Sequence, residues 1–427
     1  MTRSFEASEA YLDRAERTIP LGSQTFSKSR TQFPVGASPL FLTRGEGATV
    51  WDLDGNSYTD FVSSLLALTL GHGDPDVTQA VRDQLDDGVV FSLAHPIEAE
   101  VAELICEMVP SAEKVRFGKN GSDATAGAVR VARAFTGRDH VVVCGYHGWQ
   151  DWYIGATARN RGVPEATRNL THSIPFNDLE AAKAALAAHD IACVVIEPMN
   201  VAWPAPGYLE GLKEAAHAAG ALLVFDETIT GFRFHEGGAQ ALFGVTPDLS
   251  TFGKGLANGF PLAAVAGRSD VMALMEEIFF SFTMGGETLS LAAAKATLEK
   301  LRREPVVKHL NDLGQYLLDG LETMINERQL GDVFGTAGHP SWSFLTMKDT
   351  ESTPMMTTKT LVMQELHQAG FLSVGSHNLT YAHSAADVDG LLAAYADILP
   401  KAAQAARAGS VETHLTAKPL VPLFKVR

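Results

Sequence analysis

The sequence predicts an α/β protein, with a large domain built on a mostly parallel sheet covered by helices and a second, smaller α+β domain. Three observations carry this. Short, largely apolar runs at Lys114–Phe117, His140–Cys144, Ile191–Ile196, Ala221–Phe225 and Leu249–Phe252 alternate with helical segments such as 178–188 and 209–219, the pattern of strands buried on both faces of a covered sheet. At 427 residues the chain is too long for one small core, so two or three domains around a large central one are expected. Beyond about residue 300 the texture changes to long amphipathic helices around Ser341–Thr346. The expected parts are residues 1–60 (an arm and a small-domain segment), 61–300 (the large domain) and 301–427 (the C-terminal small domain).

In chain order, residues 4–18 predict a short helix, and the Ser-, Thr-, Gly- and Pro-rich stretch from Gly22 to Pro39 predicts an irregular arm. Phe41-Leu42 and Thr49–Asp52, punctuated by Gly45, Gly47 and Gly55, predict a small antiparallel meander. Helical spacing marks residues 76–87 and 97–109, then the five strand runs follow, with a further apolar run at Ala263–Gly267. One long helix is expected over roughly 286–327, a second near 357–369 and a terminal one near 385–406. There is no internal repeat.

Composition narrows the function. With 46% hydrophobic and 20% charged residues the chain reads as globular and not disordered. A formal charge of −16 disfavours nucleic acid and anionic membranes as partners, so any anionic ligand must be held by a local site. No apolar run approaches membrane-spanning length and no leader pattern opens the chain, so cytoplasmic residence is expected. Cys106, Cys144 and Cys193 show no metal-ligand spacing, and the latter two read as core residues.

Ligands of an open parallel sheet bind beyond the carboxyl ends of its strands, so the residues following each run are the candidates. Gly121 and Ser122, after the first run, open an amphipathic helix, where free N–H groups and a hydroxyl suit a phosphate; a plain Ser/Asp helix cap explains the same residues. Gly145-Tyr146-His147-Gly148-Trp149 follows the second run, and an aromatic there can stack on a flat ring or simply belong to the core. The third run ends in Glu197. The fourth ends in Asp226-Glu227, and a carboxylate at a buried strand tip is costly unless it meets a cation. A protonated pyridine nitrogen is such a cation; metal is the competing explanation, but no His or Cys cluster accompanies the pair at ligand spacing, and no metal is expected. The fifth run brings Lys254 between Gly253 and Gly255. A solvated turn would account for it, but a buried lysine loses proton affinity, which suits a Schiff base with an aldehyde. Phosphate cradle, ring-stacking aromatic, buried acid and Schiff-base lysine, in this order, describe a site for pyridoxal 5′-phosphate (PLP).

On Asp226–Arg233, Thr251–Gly255 and Gly121–Ala124 the chain resembles the class III PLP-dependent aminotransferases of fold type I, nearest in texture to the glutamate-1-semialdehyde aminomutase branch, over nearly its whole length. The resemblance implies a sheet of the seven-stranded type. It makes Lys254 the Schiff-base and proton-carrying residue and Asp226 the partner of the ring nitrogen. Gly121 and Ser122 would hold the phosphate and Tyr146 would stack on the ring, with His147 and Glu197 also beside the cofactor. Thr288 would reach the phosphate of a partner subunit, in a homodimer with shared sites. Two departures matter. Lys119-Asn120-Gly121-Ser122-Asp123-Ala124 replaces Asn-Ser-Gly-Thr-Glu-Ala, and where the aminomutases carry a carboxylate-binding arginine in the arm, this chain has Ser27-Lys28-Ser29-Arg30. Lys28 and Arg30 are therefore the candidates for a substrate carboxylate, Lys28 being a point charge and not a fork. Gln24–Lys28, Gly285–Ser290 and the tail Pro422–Arg427 are similar to a little-defined subgroup linked to amino-sugar or polysaccharide pathways. The implied activity moves an amino group between an amino donor and a carbonyl acceptor, keto-sugars included. An aminomutase or epimerase would use the same cofactor chemistry. A non-catalytic PLP-binding regulator would need neither Lys254 nor Asp226 merely to hold a phosphate.

Overall fold

Two compact units divide the chain, with breaks after Asp74 and after Val307. The computed structural model describes residues 3–421, so the tail Pro422–Arg427 lies outside the described residues. One unit is built from the residues up to Asp74 together with those from Lys308 onward, the other from Pro75 to Val307. The breaks fall later than 60/61 and 300/301 for local reasons. Gly47 and His72 exchange both backbone hydrogen bonds at 2.8 Å, which keeps the chain in the first unit as far as His72. The second break falls in the first turn of the helix Val306–Glu327.

In the first unit, helix Glu6–Glu16 and an arm with two single 3-10 turns precede β1 (Leu42–Glu46), β2 (Thr49–Asp52) and β3 (Ser57–Asp60). These form the expected meander, turning at Gly47 and Gly55, whose positive φ suits a tight reversal.

The second unit carries β4 (Lys114–Gly118), β5 (His140–Cys144), β6 (Thr171–Ser173), β7 (Ile191–Ile196), β8 (Leu222–Asp226), β9 (Leu249–Phe252) and β10 (Ala263–Gly267) in one seven-stranded sheet. Its order is β4-β10-β9-β8-β7-β5-β6, and β10 runs antiparallel to both neighbours. Alternate residues feed two cores, as the two-residue period of a strand requires. Val143, Val195, Val224 and Val265 pack with Ala124, Ala128 and Val131 of helix Gly121–Thr136; Val142, Val194, Leu223 and Phe225 pack with Leu186, Leu209 and Leu212 of helices Leu179–Ala188 and Tyr208–Ala218. Each such side chain contributes about 1.5–3 kcal/mol by burial. The three-residue Thr171–Ser173 strand is polar, so apolar patterning does not reveal it.

The expected long helix is two, Thr288–Arg303 and Val306–Glu327. Pro305 stands between them and lacks the N–H that a continuous helix needs. Back in the first unit, β11 (Phe334–His339), β12 (Trp342–Met347) and β14 (Ser376–Asn378) form an antiparallel sheet, while β13 (Phe371–Leu372) joins β3 in parallel. Helices Met355–Ala369 and Ala385–Ala408 complete this unit. Among the described residues no helix is long and apolar enough to cross a membrane.

Three histidines of this unit, His367, His377 and His383, are fully buried, and burial pushes each from 6.5 down to about 4. They stay neutral in the fold while the unfolded chain takes up protons between those values. Their stabilisation is therefore complete above pH 6.5 and is lost as pH falls towards 4, at about 1.4 kcal/mol per pH unit for each proton. Urea unfolding from neutral pH down to about pH 4.5 should show a slope approaching three protons. His377→Gln should remove one of them; a flat profile, or the same slope in the variant, would refute this origin of acid lability.

Candidate active site

Strand register brings the candidate residues to one edge. Cys144 lies opposite Ile196, Ile196 opposite Phe225, and Asp226 opposite Thr251, so β5, β7, β8 and β9 end level. Antiparallel β10 sets Ala263 against Gly118 and Ala264 against Phe252, which returns the end of β4 to the same edge. The loops meet closely: a Cβ on Gly253 would stand 3.8 Å from the Gly121 backbone and 3.4 Å from Thr228 Cγ2.

Asp226, 4% exposed, is the electrostatic centre. Its Oδ2 lies 2.9 Å from His147 Nδ1, and its Oδ1 accepts from the Thr228 N–H and the Thr251 hydroxyl, both at 3.1 Å. Burial raises its pKa, but the hydrogen bond and charge of His147, with Thr228, outweigh burial, and the carboxyl titrates below its ordinary range. His147 is buried too, with Nε2 3.1 Å from the Cys144 carbonyl oxygen. Both ring nitrogens face oxygen atoms, so the imidazole bridges the Asp226 carboxylate to the end of β5. A carboxylate accepts about four hydrogen bonds, and three are taken, which leaves capacity for a ligand. The neighbouring Glu227 serves structure: it accepts from the Thr230 hydroxyl and from the N–H groups of Ala239 (2.7 Å) and Gln240 (2.9 Å).

The helix Gly121–Thr136 is capped by Asn120 and Asp123 in a reciprocal box. Ser122 is therefore not the cap. The backbone N–H groups of Gly121 and Ser122 keep no partner among the described residues, at the positive end of a sixteen-residue helix. Ser122 Oγ accepts the Trp149 N–H at 3.2 Å. Gly148 sits above it with φ +101°, and a Cβ there would fall 2.1 Å from Ser122 Oγ. The Thr228 hydroxyl is buried without a hydrogen-bond partner, 3.2 Å from where a Gly121 Cβ would be. Lys119 pairs with Glu287 at 3.0 Å.

Tyr146 and Trp149 are not core residues, at 39% and 65% exposure. Glu197 Oε2 accepts the Tyr146 N–H at 2.9 Å and Asn200 Nδ2 at 2.8 Å, and Tyr153 meets the Tyr146 ring edge-on at 5.7 Å. Lys254 is half-buried and holds φ +44° between Gly253 and buried Gly255. A left-handed non-glycine residue costs about 1–2 kcal/mol.

Thr288 is buried, its hydroxyl donating to the Gly88 carbonyl at 2.8 Å. In the other unit, Lys28 Nζ donates to the Ser64 hydroxyl at 3.2 Å and lines a cavity of about 330 Å³ with Asp60, His72 and Phe41. Arg30 is paired with Glu16. Sequence reasoning passed over Thr251 and Thr228, although both stand inside the stretches that pointed to Lys254 and Asp226; only the register shows what their hydroxyls face.

A family model, that of the class-III aminotransferases, matches residues 32–384. The chain belongs to the class III aminotransferases. Among solved structures it is similar to an omega-transaminase from Sphaerobacter thermophilus, with 29% identity and a TM-score of 0.84 over 93% of this chain and 98% of that one. It is also similar to the PLP internal aldimine form of the FumI protein from Sphingopyxis sp. MTA144, with 27% identity, a TM-score of 0.87 and coverages of 97% and 99%. A glutamate-1-semialdehyde aminomutase from Pseudomonas aeruginosa PAO1 shares 25% identity with a TM-score of 0.81 over 92% and 94%. The seven-stranded sheet of this aminotransferase is thus that of PLP fold type I. PLP is its cofactor, and the residues fit the group: the unpartnered N–H groups and Thr228 hydroxyl form a cradle that only glycine at 121 and 148 leaves open, and Asp226 retains an acceptor position.

Gly148→Ala should displace Ser122 and weaken PLP binding. One hydrogen bond to a charged phosphate is worth about 1.5–3 kcal/mol, or roughly ten- to a hundredfold in Kd. Equilibrium dialysis with PLP measures this; parent affinity in a folded variant would remove Ser122 from the phosphate site.

Proposed function

We propose that this PLP-dependent aminotransferase uses Lys254 as its proton carrier and Asp226, backed by His147, as the partner of the pyridine nitrogen. The buried Asp226–His147 pair at the end of β8, one strand from the glycine-flanked Lys254, is the observation that carries the reading. When bound, PLP supplies an aldehyde that captures amines and a ring that withdraws electrons. Asp226, kept ionised by His147, holds a proton on the ring nitrogen. The N–H groups of Gly121 and Ser122 and the Thr228 hydroxyl bind the phosphate. Glu197 fixes the backbone of Tyr146, whose ring would stack on the cofactor. Lys254 Nζ takes the proton from the substrate carbon and delivers it to a second carbon centre, which is the shift that moves the amino group.

We assign the assembly as a homodimer with shared sites, Thr288 reaching the partner's phosphate. Leu93 at 85% and Phe279 at 83% exposure support a partner surface over this unit. Three free cysteines support cytoplasmic residence. For the amino donor, Lys28 is the carboxylate contact of choice, since it lines a cavity whereas Arg30 is spent on Glu16. The acceptor is a non-standard carbonyl, with keto-sugars as the first class to try. An aminomutase, which needs no second substrate, is the second reading, favoured by the similarity to the Pseudomonas enzyme.

Lys254→Ala should abolish turnover, and borohydride reduction of the PLP-loaded parent should place the label on Lys254; a label on Lys119 would overturn the assignment. Mixing Lys254→Ala with Thr288→Ala subunits should restore part of the activity, because one site of each mixed dimer then carries neither lesion. No recovery after confirmed subunit exchange would reject sharing.

Lys28→Met should raise KM for a carboxylate-bearing donor and leave kcat with a simple amine unchanged, the pattern of lost uniform binding. Equal kinetics with both donors in variant and parent would exclude Lys28 from the site.

A further inference from the structure

At the other ends of the strands the sheet gathers three imidazoles that the aminotransferase chemistry does not use. His140 is the first residue of β5, His172 the middle residue of β6, and His189 the C-cap of helix Leu179–Ala188, two positions before β7 begins. Val142 lies opposite His172, so His140 and His172 stand on one face of the sheet as diagonal neighbours.

The contacts are close. His140 Nδ1 is 3.0 Å from His172 Nε2, and one ring nitrogen from each of the three lies within 4.8 Å of the others. The His172 and His189 rings stack with centroids 3.9 Å apart and planes 11° from parallel, and His140 stacks on both at 5.2 and 5.0 Å. Two imidazoles sharing a tetrahedral metal, with bonds of about 2.0–2.1 Å, hold their nitrogens roughly 3.3 Å apart. The first pair is already near that spacing. His189 is exposed and can close the set by rotating its side chain.

We propose that His140, His172 and His189 bind one late first-row divalent metal ion, zinc among them, through three nitrogens, with water or another small ligand in the remaining position. The ion would tie edge strand β6 to β5 and to the helix preceding β7. It would lie a whole strand away from the PLP site, roughly 15 Å along β5. Its effect is therefore on stability and not on turnover.

Calorimetric titration of the untagged, PLP-loaded enzyme with Zn²⁺ should find one equivalent per chain. His172→Ala and His189→Ala should each weaken binding by about tenfold or more, while His414→Ala, elsewhere in the chain, should bind like the parent. Zn²⁺ should raise the thermal midpoint of the parent and not of His189→Ala, an exposed position whose replacement leaves the fold intact. Parent affinity in either cluster variant, or no uptake by the parent at about millimolar zinc, would overturn the site.

Discussion

The site depends on keeping one buried carboxylate ionised. Removing a carboxylate from water costs several kcal/mol unless charge and hydrogen bonds compensate, and Asp226 obtains them from three separate segments: His147 beyond β5, Thr251 on β9 and its own Thr228. Each donor arrives only if the parallel strands end level. The acid is thus as much a constraint on register as a product of it. Glu227, the next residue, points its hydrogen bonds to the start of helix Gly238–Phe243, so adjacent carboxylates anchor the site and the scaffold.

Close approach of backbone is the second constraint. Gly145 and Gly148 have positive φ, and added Cβ atoms would collide with Glu197 and Ser122. The same economy of space leaves the Gly121 and Ser122 N–H groups open, because Asn120 and Asp123 satisfy the cap between themselves. A helix start that caps itself without consuming its first N–H groups is what an anion requires.

The other unit stores strain of its own. Ser63, Ser64, Leu65 and Leu66 all have φ between 45° and 69°, a left-handed turn of four non-glycine residues at about 1–2 kcal/mol each. Asp60 holds it by accepting the Val62 and Ser63 N–H groups at 2.9 Å, and Ser63 donates to the Asn378 carbonyl at 2.6 Å. Ser64, thus fixed, receives the Lys28 ammonium. Such strain concentrates where a segment must present side chains in one arrangement.

The sequence by itself determined the strand and helix plan, because burial on both faces of a sheet demands continuous apolar runs and amphipathic helices demand their own period. It also placed the candidate residues Gly121 and Ser122, Tyr146, Asp226 and Lys254 in order, since each follows a strand that local composition reveals. It misjudged the stretch from 286 to 327, where Pro305 outweighs amphipathic periodicity, and it could not show β6, whose Thr-His-Ser has no apolar signature. Tertiary structure alone decided that Asn120 and not Ser122 caps the helix, that His147 and Thr251 serve Asp226, and that Arg30 is spent on Glu16. It alone brought three distant histidines together. These are pairings between residues far apart in the chain, set by strand register and side-chain packing, and a local pattern has no record of either.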